Sequence, residues 1–393
     1  MQELLASPLY RGAALAMFLS GLGTSAAAPQ IVLFLVRELG TSLSMAGLYY
    51  LTSLTAPVAG YLVGRYSDQT GGRLGLFRLC AIAGFVGWAG FAVSTQIWMP
   101  FVIGTVILAF SGAAASQVFA AVHDEIGKAS SKSGDDVVAI IRMALTAGWV
   151  IGPALGAWLA SETGLRPLFW ATAICFLAQI IPLGTLRVTA GHSDLAPHVQ
   201  GAARTASLSS MVPLLAFTAL FVLVYAGESI KFGFLLIYME EQLRLPPAVR
   251  GAVIGIQPLI ELLIMPFSVA LGRRFGPIQL MSVAAALCVA ANLCFAAWPS
   301  AAGMFAGQVL MGGVWGIFAV LGILVAQRLL PNAVATASAI FMSSSALSTA
   351  LGGVAGGVGV AVLGLPNVFL IPAALALVAV FGLAIMAKRH PVR

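Results

Sequence analysis

The chain has 393 residues, of which 60% are hydrophobic and 8% charged, with a mean hydropathy of +1.00 and a formal net charge of +7. A soluble domain keeps about a quarter of its residues charged to wet its surface, so this composition excludes a water-soluble enzyme or a nucleic-acid-binding domain. Cys80, Cys175, Cys288 and Cys294 lie in apolar stretches with no CxxC or Cys/His grouping, and the four histidines lack ligand-like spacing. They read as packing residues, and no metal, cofactor or disulfide framework is expected.

From the N-terminus, segments of about twenty mainly apolar residues, the length that crosses a bilayer, fall near 12–36, 43–64, 75–95, 98–121, 137–160 and 166–186. Six more follow near 211–237, 247–270, 277–298, 300–327, 333–362 and 365–387. Ser25–Ala28 has the small residues of a signal-peptidase site, but the apolar run from Gly12 to Val36 is too long for a signal peptide and reads as the first span. The long connector Arg187–Ser210 follows span six. The expected fold is therefore an all-α polytopic membrane protein of twelve transmembrane helices: a six-helix bundle over 1–186, a linker over 187–210 and a second six-helix bundle over 211–393.

Basic residues orient the chain. With both termini cytoplasmic, fourteen Lys and Arg fall in the inner connectors and ends, against Arg37, Arg166, Arg244 and Arg250 outside. That asymmetry follows the positive-inside rule and accounts for the +7 as a topology signal.

Internal repetition supports the division. GRYSDQTGGR (Gly64–Arg73) after span two pairs with GRRFG (Gly272–Gly276) after span eight. GWVIGPALG (Gly148–Gly156) in span five pairs with LGGVAGGVG (Leu351–Gly359) in span eleven. Parallel six-helix repeats are a recurrent plan of secondary transporters, with the substrate site near mid-membrane between them. In the first motif Gly permits close approach of helix ends, Asp68 can cap a helix or accept hydrogen bonds, and Arg73 supplies a cation. In the second, Gly148, Gly152 and Gly156 form a flat packing face, and Pro153 removes a backbone donor and bends the helix.

The first motif resembles the loop-2–3 signature of the major facilitator superfamily, with Gln69 and Leu74 in place of two usual basic residues; in the second copy Arg273 stands where Asp68 does. The resemblance implies that Asp68 and Arg73 latch the two halves on the cytoplasmic side. The span-five motif resembles the antiporter motif of exporters in that superfamily, with Ala157 at its final Gly. Longer stretches, GLGTSAAAPQIVLFLVRELG (21–40), RMALTAGWVIGPALGAWLA (142–160) and IELLIMPFSVALGRRFG (260–276), together resemble the bacterial sugar efflux transporter family. That resemblance implies export of sugars or glycosides across the inner membrane, with multidrug efflux as the alternative within the same fold.

Charges inside the spans are functional candidates, because each costs several kcal/mol unless it faces water or a partner. Arg142 in span five either snorkels, pairs with Asp124, Asp135 or Asp136, or serves the cavity. Glu228 and Lys231, at i and i+3 in span seven, are either an interfacial ion pair or a recognition element. Glu261 in span eight has no basic residue one turn away in its own helix and is the candidate proton acceptor, ahead of Glu228 and Asp124. Gln30, Gln257, Asn292, Gln308, Trp149 and Trp315 add the amides and flat aromatic faces that suit a neutral polyol. The expected partners are a small-molecule sugar or glycoside, protons as the coupling ion and membrane lipid, without nucleic acid. The expected assembly is a monomer.

Overall fold

The structure is a computed structural model that describes residues 7–129, 134–184, 186, 208–331 and 334–389. The linker expected over 187–210 therefore lies almost wholly outside the described residues. Every regular element among those described is helical, as lipid demands, because a helix satisfies its backbone polar groups within its own segment.

The first unit contains α1 (Pro8–Ala27), α2 (Ile31–Arg37), α4 (Ala56–Thr70), α5 (Arg73–Val93), α6 (Trp98–Val102), α7 (Ala109–Ser111), α8 (Ala113–Ala129), α9 (Gly134–Thr163) and α10 (Leu165–Ala178). The second contains α3 (Leu43–Leu48), α11 (Leu208–Glu241), α12 (Pro247–Phe275), α13 (Pro277–Ala297), α14 (Ala301–Leu329), α15 (Val334–Leu363) and α16 (Leu370–Arg389). By compactness, the units comprise Met1–Thr41 with Thr52–Asp194, and Ser42–Leu51 with Leu195–Arg393. A short piece of the N-terminal sequence thus packs with the C-terminal unit.

Among the described residues, eleven helices are long and apolar enough to cross a membrane. The span expected over 43–64 is present in pieces: α3, a 3₁₀ stretch over Tyr49–Thr55, and the fifteen-residue α4. Two other spans change helix type. Ala28–Gln30 is a 3₁₀ turn around Pro29, and Ile103–Leu108 forms a π segment between α6 and α7.

The sequence repeat reappears as geometry. Gly71 ends α4 at φ +65°, and Gly276 separates α12 from α13 at φ +89°; only glycine takes these left-handed conformations without a Cβ penalty. In the first unit the Gly148, Gly152 and Gly156 face of α9 lies against α1. A Cβ on Gly152 would stand 2.6 Å from the Leu22 carbonyl oxygen, and one on Gly156 2.8 Å from the Ala26 Cα. Ser25 Oγ donates to the Gly148 carbonyl at 3.0 Å. In the second unit α15 approaches α11 the same way: a Cβ on Gly352 would lie 3.0 Å from the Ala226 Cα, and one on Gly356 2.6 Å from Phe234. Without a hydrophobic drive between helices in lipid, such close backbone packing supplies the association energy. α9 runs unbroken through Pro153, and α12 through Pro258 and Pro266.

Candidate functional site

α11 is apolar over nearly its whole length, and Glu228 and Lys231 share one of its faces. They point into the second unit. Lys231 Nζ donates to Glu228 Oε1 at 2.6 Å, with 3% of Lys231 and 7% of Glu228 exposed. The snorkelling, interfacial alternative is thereby set aside for the described geometry: both charges are buried in protein. Two further helices complete the shell. From α12, Gln257 Nε2 donates to Glu228 Oε1 at 3.1 Å, and its Oε1 accepts from Lys231 Nζ. From α14, the Trp315 indole Nε1 donates to Glu228 Oε2 at 2.8 Å. Glu228 therefore accepts from three donors. Desolvating two charges costs several kcal/mol per ion, recovered only when the pair is close and its remaining valences are filled. Gln257 and Trp315 fill them.

An aromatic column continues from this cluster. Tyr225, one turn before Glu228, meets Trp315 edge-on with ring centroids 5.0 Å apart. Phe221 follows at 5.5 Å from Tyr225 and 4.6 Å from Phe341, and Phe217 stacks on Phe341 at 5.9 Å. Beside the column lies an open groove of about 550 Å³ lined by Leu215, Thr218, Ala219 and Val222 of α11 and Ile340, Ser343, Ser344 and Leu347 of α15. Its lining is almost wholly apolar.

Glu261 sits one turn beyond Gln257 on α12 and is half-buried; Tyr225 lies within electrostatic reach of both Glu228 and Glu261. Gln308 precedes Trp315 by two turns on the same helix face and is 1% exposed. Its Oε1, like Asn292 Oδ1 on α13, has no hydrogen-bond partner among the described residues. Asn292 Nδ2 donates to the Cys288 carbonyl at 2.8 Å, and Cys288 is within electrostatic reach of Glu228 and Lys231. The structure thus joins Glu228, Lys231, Gln257 and Trp315 directly, with Glu261, Gln308 and Asn292 in the same unit. Tyr225 was not singled out in the sequence; its position one turn before Glu228 was the available signal.

The remaining candidates belong to the first unit. Gln30 is buried at the 3₁₀ break between α1 and α2. Arg142 is exposed on α9, and Trp149, two turns on, is half-buried. The side chains of Asp135 and Asp136 lie outside the described residues, and Asp124 pairs elsewhere. Arg73 Nε contacts Asp124 Oδ2 at 3.1 Å while its Nη1 reaches Asp68 Oδ1 at 2.6 Å and Ser67 Oγ at 2.9 Å. Ser67 Oγ also lies 2.5 Å from Gln117 Oε1. The loop-2–3 motif is therefore a network across α4, α5 and α8, in which Asp124 supplies a second acid 51 residues after Arg73.

A helical membrane protein built from two repeats, with a loop-2–3 Asp–Arg pair and a Gly-faced fifth span, is a specific combination. The sequence profile of the Major Facilitator Superfamily matches residues 13–226 and 217–393. The chain belongs to that superfamily. It is similar to a protein of Deinococcus radiodurans named "Putative sugar efflux transporter", 28% identical over 387 residues, 97% of this chain and 98% of that one. It is also similar to sugar efflux transporter A of Dickeya chrysanthemi, 25% identical over 357 residues, 87% of this chain and 86% of its relative. Among solved structures, a nucleoside transporter NupG variant superposes with a TM-score of 0.82 at 16% identity, over 96% of this chain and 99% of that one. A peptide transporter POT variant superposes at 0.79 and 11% identity, over 97% and 94%. At those identities the two structures bear on the fold alone. As a member of this superfamily the chain is a membrane transporter, not an enzyme.

Proposed function

We propose that this transporter exports sugars or glycosides from the cytoplasm by alternating access, with protons moving inward in exchange. The observation that carries the reading is the buried Glu228–Lys231–Gln257–Trp315 cluster beside Tyr225. One carboxylate and one ammonium neutralise each other there, and the surrounding groups are an amide and two amphipathic aromatic rings. A neutral polyol can exchange hydroxyls for those bonds and lay its apolar face on a ring, whereas an ionic substrate would leave a charge unmatched. The likeness to named sugar efflux transporters along nearly the whole chain points the same way.

Within this reading Gln30, Arg142, Trp149, Glu228, Lys231, Gln257, Glu261 and Gln308 bind substrate or serve coupling. Asp68 and Arg73 form the cytoplasmic latch, and Gly148, Gly152, Pro153 and Gly156 the packing face about which span five moves. Glu261, half-buried on α12 and within electrostatic reach of Tyr225, is assigned the proton. The chain sits in the bacterial cytoplasmic membrane with both termini inside, as a monomer.

One observation favours a second reading, multidrug export: the apolar groove of about 550 Å³ between α11 and α15, which lies in the size range of small-molecule sites. Proteoliposome flux of labelled sugars and glycosides against labelled lipophilic cations separates the two. Saturable sugar flux with indifferent cations is expected; cation flux without sugar flux overturns the proposal in favour of the second reading.

A further inference from the structure

Asn292 Oδ1 on α13 and Gln308 Oε1 on α14 are buried amide oxygens with no hydrogen-bond partner among the described residues, and each residue is 1% exposed. Such groups are rare in folded proteins, because a buried carbonyl that leaves water and gains no donor keeps its whole desolvation penalty. Two of them in one six-helix unit call for a common explanation.

The two oxygens lie at the same level of the unit. α13 and α14 run antiparallel: a Cβ on Gly307 would stand 2.7 Å from the Phe295 Cζ, and one on Gly313 3.4 Å from the Leu287 Cδ1. Between those contacts, Asn292 comes opposite the turn that carries Gln308. The charged cluster is one turn away. Cys288, a turn before Asn292, is within electrostatic reach of both Glu228 and Lys231. Asn292 Nδ2 donates to the Cys288 carbonyl and lies 3.5 Å from its Sγ.

Lys231 has the complementary need. An ammonium carries three N–H donors, and its hydrogen bonds among the described residues use two, to Glu228 Oε1 and Gln257 Oε1. The Phe232 ring stands 4.9 Å from Nζ, but a ring is a weaker partner for an N–H than an oxygen is. One donor and two acceptors are therefore left over. A water molecule is their complement, with a lone pair for the ammonium and two O–H donors for the amide oxygens. Buried waters typically make about three hydrogen bonds of this kind. A sodium ion would also suit amide oxygens, but the Lys231 ammonium would repel it.

We propose that one buried water molecule, held among α11, α13 and α14, bridges Lys231 Nζ, Asn292 Oδ1 and Gln308 Oε1. It completes the shell of the ammonium from helices that do not contact Glu228 through Asn292 or Gln308. Lys231 then has no free donor, so an entering hydroxyl must displace an existing bond to reach it. That consequence rests on the export reading; the water itself does not.

The test is a density map of the full-length, sugar-free protein sharp enough to show ordered water, joined to a thermal double-variant cycle. The map should show one peak within hydrogen-bond distance of all three atoms. No peak there overturns the proposal, and so does a peak seen with sugar bound but not without it, which would assign the position to a substrate hydroxyl. Gln308→Met supplies a test of sign. If a water donates to Gln308, losing that acceptor should lower the melting temperature by roughly 2 °C. An oxygen with no partner would be relieved by the same change, so an unchanged or higher melting temperature overturns the water. Asn292→Leu and Gln308→Met should also be non-additive, because either one strips the same water of a partner and the second then loses less. Losses that simply add count against a shared water. None of these measurements involves transport, so absent sugar flux would speak against the export reading alone.

Discussion

Replacing Lys231 by Met is the sharpest perturbation of the buried cluster. Met fills a similar volume but removes the only cation bonded to Glu228 among the described residues, leaving a carboxylate in a shell where Gln257 and Trp315 are its neutral donors. Breaking a buried ion pair from one side costs about 3–5 kcal/mol. Glu228→Gln is milder, because an amide oxygen can still accept from Trp315 and Lys231 keeps the Gln257 oxygen; about 2 kcal/mol is expected, the scale of a hydrogen bond to a charged group. The double variant carries no buried charge and should cost no more than Lys231→Met alone, so the cycle should close with a favourable coupling of about 2–3 kcal/mol. The assay is equilibrium unfolding of the purified protein in detergent, read by Trp fluorescence. A Lys231→Met variant as stable as the parent, or a double variant whose loss is the sum of the single ones, would refute the reasoning.

Other outcomes follow from the same geometry. Trp315→Phe keeps a ring against Tyr225 but removes the donor to Glu228, so sugar KM should rise roughly tenfold, the equivalent of ~1.4 kcal/mol, while the melting temperature barely moves; unchanged kinetics would take Trp315 out of the site. Gly152→Leu forces a side chain onto the α1 backbone at Leu22 and Ala26, and the yield of monodisperse protein should collapse, whereas Gly60→Ala, with open space around it, should be neutral. Arg73→Ala should impair flux more than Asp68→Asn, because Arg73 also holds Asp124 and Ser67; equal losses in initial-rate assays would place the network's function on Asp68 alone.

The segments that hydropathy reports were legible in the sequence, since twenty apolar residues have one economical fate in lipid. The glycine faces of α9 and α15 were legible too, because a spacing of four puts small residues on one side and close packing needs them there. The break at Tyr49–Thr55 was not: apolar residues look alike in α and 3₁₀ helix, and Pro57 was the only mark nearby. Sequence spacing joined Glu228 to Lys231 within one helix. It could not add Gln257 and Trp315 as their partners, because those contacts depend on how α12 and α14 rotate against α11. The pairing of Arg73 with Asp124 was hidden in the same way, as a contact between helices 51 residues apart.

The central claim, sugar export driven by inward proton flow, is tested most directly by sugar uptake into proteoliposomes under an imposed pH gradient. With the lumen acidic, transporters whose cytoplasmic face looks outward should accumulate labelled sugar above the external concentration, and a protonophore should abolish the accumulation. The Glu261→Gln variant should equilibrate sugar without accumulating it. Sugar entry that ignores both the gradient and the protonophore in the parent protein would contradict proton-coupled export.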